Sequence, residues 1–195
     1  MSYVPGIPDN EATHEAYCDL ICNGPAVDTT SSEHVVWESS QDQILLVTDA
    51  SPAKYKKLAH DASKCANCEM RYDSGIYREY DPPDQRHIRI FLYARDARVI
   101  ALLVFERRSK VWRCLWNGVE TPECVEQPEK GPMWSVGFLW VHGTRRRVGV
   151  GKALFHRAKR HLNLTEDEVG WYTPFSTEGQ TFVRHEYPTY FYVAK

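Results

Sequence analysis

Apolar residues along the chain keep two rhythms, alternation at every second position and recurrence at every third or fourth, and the changes between them mark out the elements. His34 to Glu38 and Gln43 to Thr48 carry β-branched and aromatic residues around the polar turn Ser39-Ser40-Gln41-Asp42, which predicts a hairpin. A helix is predicted next. Ser51 suits an N-cap, Pro52 a first helical position, and Tyr55, Leu58, Ala59 and Ala62 recur at helical spacing. Residues 63 to 86, with two cysteines, several tyrosines and Pro82-Pro83, read as a loop. His87 to Ala94, Val99 to Glu106 and Val111 to Asn117 alternate as the three strands of a meander, and Gly118 to Pro132 is polar loop. Met133 to Val141 is then an apolar strand, followed by a helix that turns Val150, Ala153, Leu154, Ala158 and Leu162 inward and a basic face outward. Glu168 to Thr173 and Thr189 to Ala194 close the chain as two more strands. Residues 1 to about 32 are rich in Pro, Gly, Asp, Thr and Ser, with one helix-like stretch from Glu11 to Cys22, and read as an appendage to a domain at 33–195.

Between the apolar strand and its helix lies Arg146-Arg147-Val148-Gly149-Val150-Gly151-Lys152. A strand that ends in a basic, glycine-broken turn and restarts as a helix leaves successive backbone N–H groups unpaired, with the positive end of the helix dipole behind them. That arrangement suits a pyrophosphate. A basic surface turn punctuated by glycines is the competing reading. The turn is neither a Walker loop, since no G-x-x-x-x-G-K-[ST] occurs, nor the dinucleotide fingerprint G-x-G-x-x-G.

With 195 residues, 43% of them hydrophobic, the chain can bury one full core. Its 24 basic and 26 acidic residues argue against a protein that coats nucleic acid by bulk charge. No run of about 18 apolar residues occurs and the start lacks the layout of a signal peptide, so a soluble intracellular protein is expected. In that compartment the six cysteines are expected to be free thiols or metal ligands. Cys65-Ala66-Asn67-Cys68 has zinc-knuckle spacing without a second pair, and two free thiols in a loop is the plainer reading. A composite site of His14, Cys18, Cys65 and Cys68 is chemically allowed.

R-x-x-G-x-G between strand and helix resembles the acetyl-CoA signature of the GNAT acetyltransferases, and the element order fits that layout: an α/β fold with a mixed central sheet and flanking helices. Within that fold the chain is similar to the cohesin acetyltransferases, the establishment-of-sister-chromatid-cohesion branch. That family reads G-I-S-R-I-W-V, R-R-x-x-I-A, A-F-S-[DQ]-P-T-x-x-G and a final F-L-V-Y. Here stand Ser135-Val136-Gly137-Phe138-Leu139-Trp140-Val141, Arg146 to Gly151, Trp171-Tyr172-Thr173-Pro174-Phe175-Ser176-Thr177-Glu178-Gly179, and Tyr190-Phe191-Tyr192-Val193. The match runs from about residue 34 to 195 and is dense from Met133 onward. The family's zinc finger ends in H-x-x-x-[HC], which His14 and Cys18 match, so the resemblance implies that the chain begins within that finger and carries half of its zinc site. Departures fall at the acceptor site, where Gly137 replaces the family's Ser and Thr173 its Asp or Gln.

The resemblance implies acetyl-CoA as cofactor, a lysine of a cohesin SMC subunit as acceptor, a nuclear, cell-cycle role in sister chromatid cohesion and an indirect association with chromatin. The pyrophosphate would meet the backbone of Arg147, Val148, Gly149, Val150 and Gly151, with Arg146 and Lys152 adding charge. Pantetheine would pair with the edge Leu139-Trp140-Val141, and Phe175, Ser176 and Thr177 complete the cofactor side. Catalysis needs a base, for which Asp167 and Glu168 are the candidates, with His142 and Tyr172 behind them and Thr173 as an orienting hydroxyl. An acetyl-CoA-binding module without catalysis and a small-molecule amine acetyltransferase are the alternative readings.

Overall fold

The computed structural model describes residues 8–28, 33–71, 76, 87–116, 122–125 and 131–194. The opening Met1-Ser2-Tyr3, the Pro82-Pro83 pair and most of the 118–132 loop lie outside them. The described elements run α1 (Pro8–Asn23), β1 (Val35–Glu38), β2 (Asp42–Val47), α2 (Ala53–Met70), β3 (Ile88–Arg95), β4 (Arg98–Arg108), β5 (Val111–Leu115), β6 (Glu123–Cys124), β7 (Met133–Val141), α3 (Val150–His161), β8 (Val169–Tyr172), α4 (Thr177–Glu186) and β9 (Tyr190–Ala194).

The nine strands of the described residues join one mixed sheet in the order β1-β2-β3-β4-β7-β8-β9-β5-β6. The hairpin β1–β2 and the antiparallel run β2-β3-β4-β7 follow the sequence rhythm. The third strand of the expected meander does not. β5 leaves β4 and pairs antiparallel with β9, the last strand, because the β4 edge is taken by β7. β8 lies parallel to both β7 and β9.

Each face of the sheet carries its own core. One holds Phe91, Phe105, Leu154, Phe155, Trp171 and Phe191 under α3 and α4, and the other holds Leu45, Ile90, Leu92, Leu102 and Trp140 under α2. On α3 Val150, Leu154 and Ala158 are buried as predicted and Phe155 joins them, whereas Ala153 and Leu162 are only half covered. Burying one Leu or Phe side chain is worth about 1.5–3 kcal/mol, so this stripe fixes the helix to the sheet and thereby aims its N-terminus.

Two local readings shift. Ser51 does not cap α2; its hydroxyl accepts from Thr48 N–H, and the helix starts one residue later, after Pro52. The helix also continues to Met70, through the segment expected as loop, so Cys65 and Cys68 stand on it. Cys65 is fully buried and donates to the Leu20 carbonyl at 3.1 Å, binding α1 to α2. Cys114 and Cys124 face each other across β5 and β6 and form a disulfide, where free thiols or metal ligands were expected. The helix α4 was not foreseen; Ser176 caps it by accepting from Gly179 N–H at 3.1 Å.

Candidate functional site

The site arises from a strand that outruns its neighbour. β7 pairs with β8 only at Trp134, Ser135 and Val136, while its other edge stays bonded to β4 as far as Val141. From Gly137 to Val141, therefore, the backbone groups on the β8 side have no strand partner among the described residues. A bulge starts this separation: Phe105 faces Val136 and Val104 faces Phe138, so Gly137 is the extra residue, and a bulge bends its strand away from the sheet. A cavity of about 880 Å³ occupies the opening.

At one end of the cavity the chain turns into α3. Arg147 (φ 63°) and Gly149 (φ 84°) take left-handed backbone within three residues, which points neighbouring N–H groups inward as in an anion nest. No side chain caps α3, and no acidic residue stands in its first turn. The first intrahelical bond is from Ala153 N–H to the Gly149 carbonyl, so the amides before it are left for a ligand. A Cβ at Gly151 would be tight, 3.2 Å from Val141 Cγ2, so a side chain there would press on the end of β7.

The expected cofactor residues Leu139, Trp140, Val141, Arg146, Arg147, Gly149, Val150, Gly151, Lys152, Phe175 and Ser176 all border this cavity; Val148 and Thr177 do not, and Val148 is 66% exposed. Two charges are already committed. Arg146 donates to Glu69 at 2.6 Å and to the Val141 carbonyl at 2.8 Å, and Lys152 lies 3.4 Å from Glu186. Sequence reasoning missed Glu69, which also accepts from Trp140 Nε1 at 3.2 Å and Gly143 N–H at 3.1 Å. It pins the end of β7 to the cradle. Glu186 plays a similar part on the other rim, its side chain 8% exposed and gathered around Lys152, His156 and His185.

The expected catalytic residues are not brought to the cavity. Asp167 and Glu168 stand just before β8, at the end opposite the opening, where they border a separate depression of about 600 Å³ with Arg107, Lys110 and Trp134. Glu168 closes a capping box with Thr165, and Asp167 accepts from the Tyr190 hydroxyl at 2.6 Å. The physical reason is strand polarity: β8 runs parallel to β7, so its C-terminal end, not its start, meets the opening. Thr173 follows that end but is exposed and outside the cavity lining, whereas its neighbours Tyr172 and Pro174 belong to it. His142 is buried between Thr144 and the Ile21 carbonyl, away from the opening.

His14 and Cys18 lie one turn apart on α1 with sulfur 3.6 Å from Nε2, and among the described residues no three His, Cys, Asp or Glu side chains converge as a metal site. Two ligands do not fit structural zinc, which takes four. Cys65 is turned into the core and cannot join them.

No family model matches the chain. It is 24% identical to the N-acetyltransferase ECO1 of Candida glabrata, over 92% of this chain and 78% of that protein. The solved acetyltransferase domain of xEco2 bound to a K105-CoA conjugate superposes with a TM-score of 0.70 at 19% identity, covering 85% of this chain and 98% of that one. Another structure of the xEco2 acetyltransferase domain gives 0.68 at 18% identity, over 86% and 98%.

Proposed function

We propose that this chain, a GNAT-fold acetyltransferase of the Eco1/Eco2 family, transfers the acetyl group of acetyl-CoA to a lysine on an SMC subunit of cohesin, in the nucleus, with a role in establishing sister chromatid cohesion. The observation that carries this reading is one cavity bounded by an unpaired strand edge at one end and an uncapped helix N-terminus at the other.

An extended pantetheine arm can add to the free edge of β7 as a further strand would, and a pyrophosphate fits amides with no intrahelical acceptor. A backbone N–H on the same edge polarises the thioester carbonyl and stabilises the oxyanion that forms when nitrogen attacks. The attacking amine must be neutral. A lysine with pKa about 10.4 is roughly a thousandfold protonated near neutral pH, a cost of about 4 kcal/mol that the site has to offset. Chromatin is reached through the substrate. Among the described residues no helix is long and apolar enough to cross a membrane.

The test is acetyl-CoA turnover with a lysine peptide from a cohesin SMC head, compared with free polyamines. Transfer to the peptide supports the reading, transfer to polyamines alone makes the chain a small-molecule acetyltransferase, and binding of acetyl-CoA with no transfer makes it a non-catalytic module.

A further inference from the structure

We propose that Glu106, on β4, is the base that takes the proton of the acceptor amine, reaching the fork between β7 and β8 through the opening that Gly137 leaves. This assignment rests on the acetyltransferase reading above and supplies the group missing from it.

The two oxygens of Glu106 have different surroundings. Oε2 accepts from Arg108 Nη2 at 2.6 Å, and the Tyr172 hydroxyl makes a longer contact to it at 3.4 Å. Oε1 has no hydrogen-bond partner among the described residues and faces Gly137, where a Cβ would stand 3.2 Å from it. The side chain is 13% exposed, so this free oxygen is held in place and not simply solvated. Arg108 both fixes the carboxylate and compensates its burial, and its guanidinium lies 4.5 Å over the Tyr172 ring, closing the cluster.

Position decides the rest. Gly137 and Tyr172 are where β7 and β8 part, and both border the cavity. A thioester carried along the free edge has its carbonyl at this fork, because the edge begins there. Glu106 does not itself border the cavity; its Oε1 stands directly behind Gly137, which does, and the carboxylates of the lining are occupied or solvated. Glu69 holds Arg146, Trp140 and Gly143, Glu186 holds Lys152, His156 and His185, and Glu178 is exposed. The glycine that departs from the family pattern is thus what lets this carboxylate reach the fork.

In the step itself the amine nitrogen bonds to the thioester carbon and the C–S bond breaks, its electron pair leaving on sulfur. Of the two protons the ammonium sheds, one passes to Oε1 and on to solvent, and the other ends on the CoA thiol. Removing a positioned base typically costs about 100-fold or more in rate.

Kinetics with acetyl-CoA and the SMC-head peptide, alongside calorimetry, provide the test. Glu106→Gln is expected to lower kcat by about 100-fold, to leave acetyl-CoA affinity within about threefold, and to remove the acidic limb of the pH–rate profile, with residual rate rising only as the amine deprotonates itself. Glu106→Asp, a methylene short, should keep the limb and lose part of kcat. Gly137→Ala should lower kcat without moving acetyl-CoA affinity, which decides the matter if the Gln variant fails to fold. Variants at both positions with wild-type kcat and profile overturn the assignment alone. A wild-type chain that binds no acetyl-CoA overturns the acetyltransferase reading, and this assignment with it.

Discussion

Replacing Gly149 by aspartate, with alanine as its control, separates the electrostatics of the cradle from its backbone strain. Gly149 adopts φ +84°, and nothing lies within 4 Å of the position a Cβ would take, so a Cβ meets open space there. Alanine bears the penalty of an L-residue in left-handed backbone, about 1–2 kcal/mol, while aspartate bears less, because it tolerates that backbone better and at the N-cap of α3 its carboxylate can accept from the free N–H groups. The melting temperature should therefore fall by a few degrees in the alanine variant and by less in the aspartate variant. Ligand affinity should split them. A carboxylate about 5 Å from a pyrophosphate charge at an effective dielectric of about 20 is repelled by about 3 kcal/mol, which is about 100-fold in Kd. Titration calorimetry with acetyl-CoA reads the contrast directly, and raising the salt should shrink it, since the cradle is exposed. If the aspartate and alanine variants bind acetyl-CoA within about threefold of each other at low salt, the pyrophosphate does not sit on these amides.

Burial pushes the Cys65 thiol up to about 12, with Asp61 nearby adding to the effect, so a maleimide near neutral pH should label the exposed Cys22 and Cys68 promptly and Cys65 only on unfolding. Prompt Cys65 labelling would show that α1 does not cover it. Hydrogen bonding from Arg95 holds the Asp42 carboxyl below its usual range despite partial burial. A lowered folded-state pKa stabilises the protein above the ordinary carboxylate range and loses that contribution as pH falls through the folded value. Asp42→Asn should then cost about 1 kcal/mol near pH 7 and almost nothing in acid; an equal cost at both ends counts against the pair. The chain should also purify with less than one zinc per molecule, because His14 and Cys18 offer only two ligands; one tightly held zinc by elemental analysis would contradict this.

Strong periodicity made much of the sheet legible. Met133 to Val141 matches β7 residue for residue, and the strands flanking Asp96 fall within two residues of expectation, because alternation over eight or more positions has few competing explanations. Helix α4 was hidden: Gly179 and the preceding Pro174 read as loop punctuation, and only Phe182 and Val183 supply an apolar face. The cradle could be read because its signal is local, glycines and arginines within seven residues. The catalytic side could not. Glu106 meets Gly137 and Tyr172 only through strand pairing and a bulge, and nothing near it in sequence marks it apart from any charged residue at the end of an apolar strand. Asp167 and Glu168 stood out because they adjoin a motif strand, yet adjacency in sequence does not say which end of that strand faces the opening.

The route of β5 bears on how the molecule comes to be made. Val111 pairs with Ala194, so β5, which has only the short β6 near it in sequence, waits for Tyr190–Ala194 before it is joined to the rest of the sheet. Until then β8 also lacks its β9 neighbour, and the fork where the acetyl group is handled has only one complete arm. A ribosome-bound chain can assemble β1 to β4 early, but pairings of such long sequence separation form late. Competence for chemistry therefore arrives only with β9, and loss of Tyr190–Ala194 would leave a chain able to hold much of one core yet unable to finish its site.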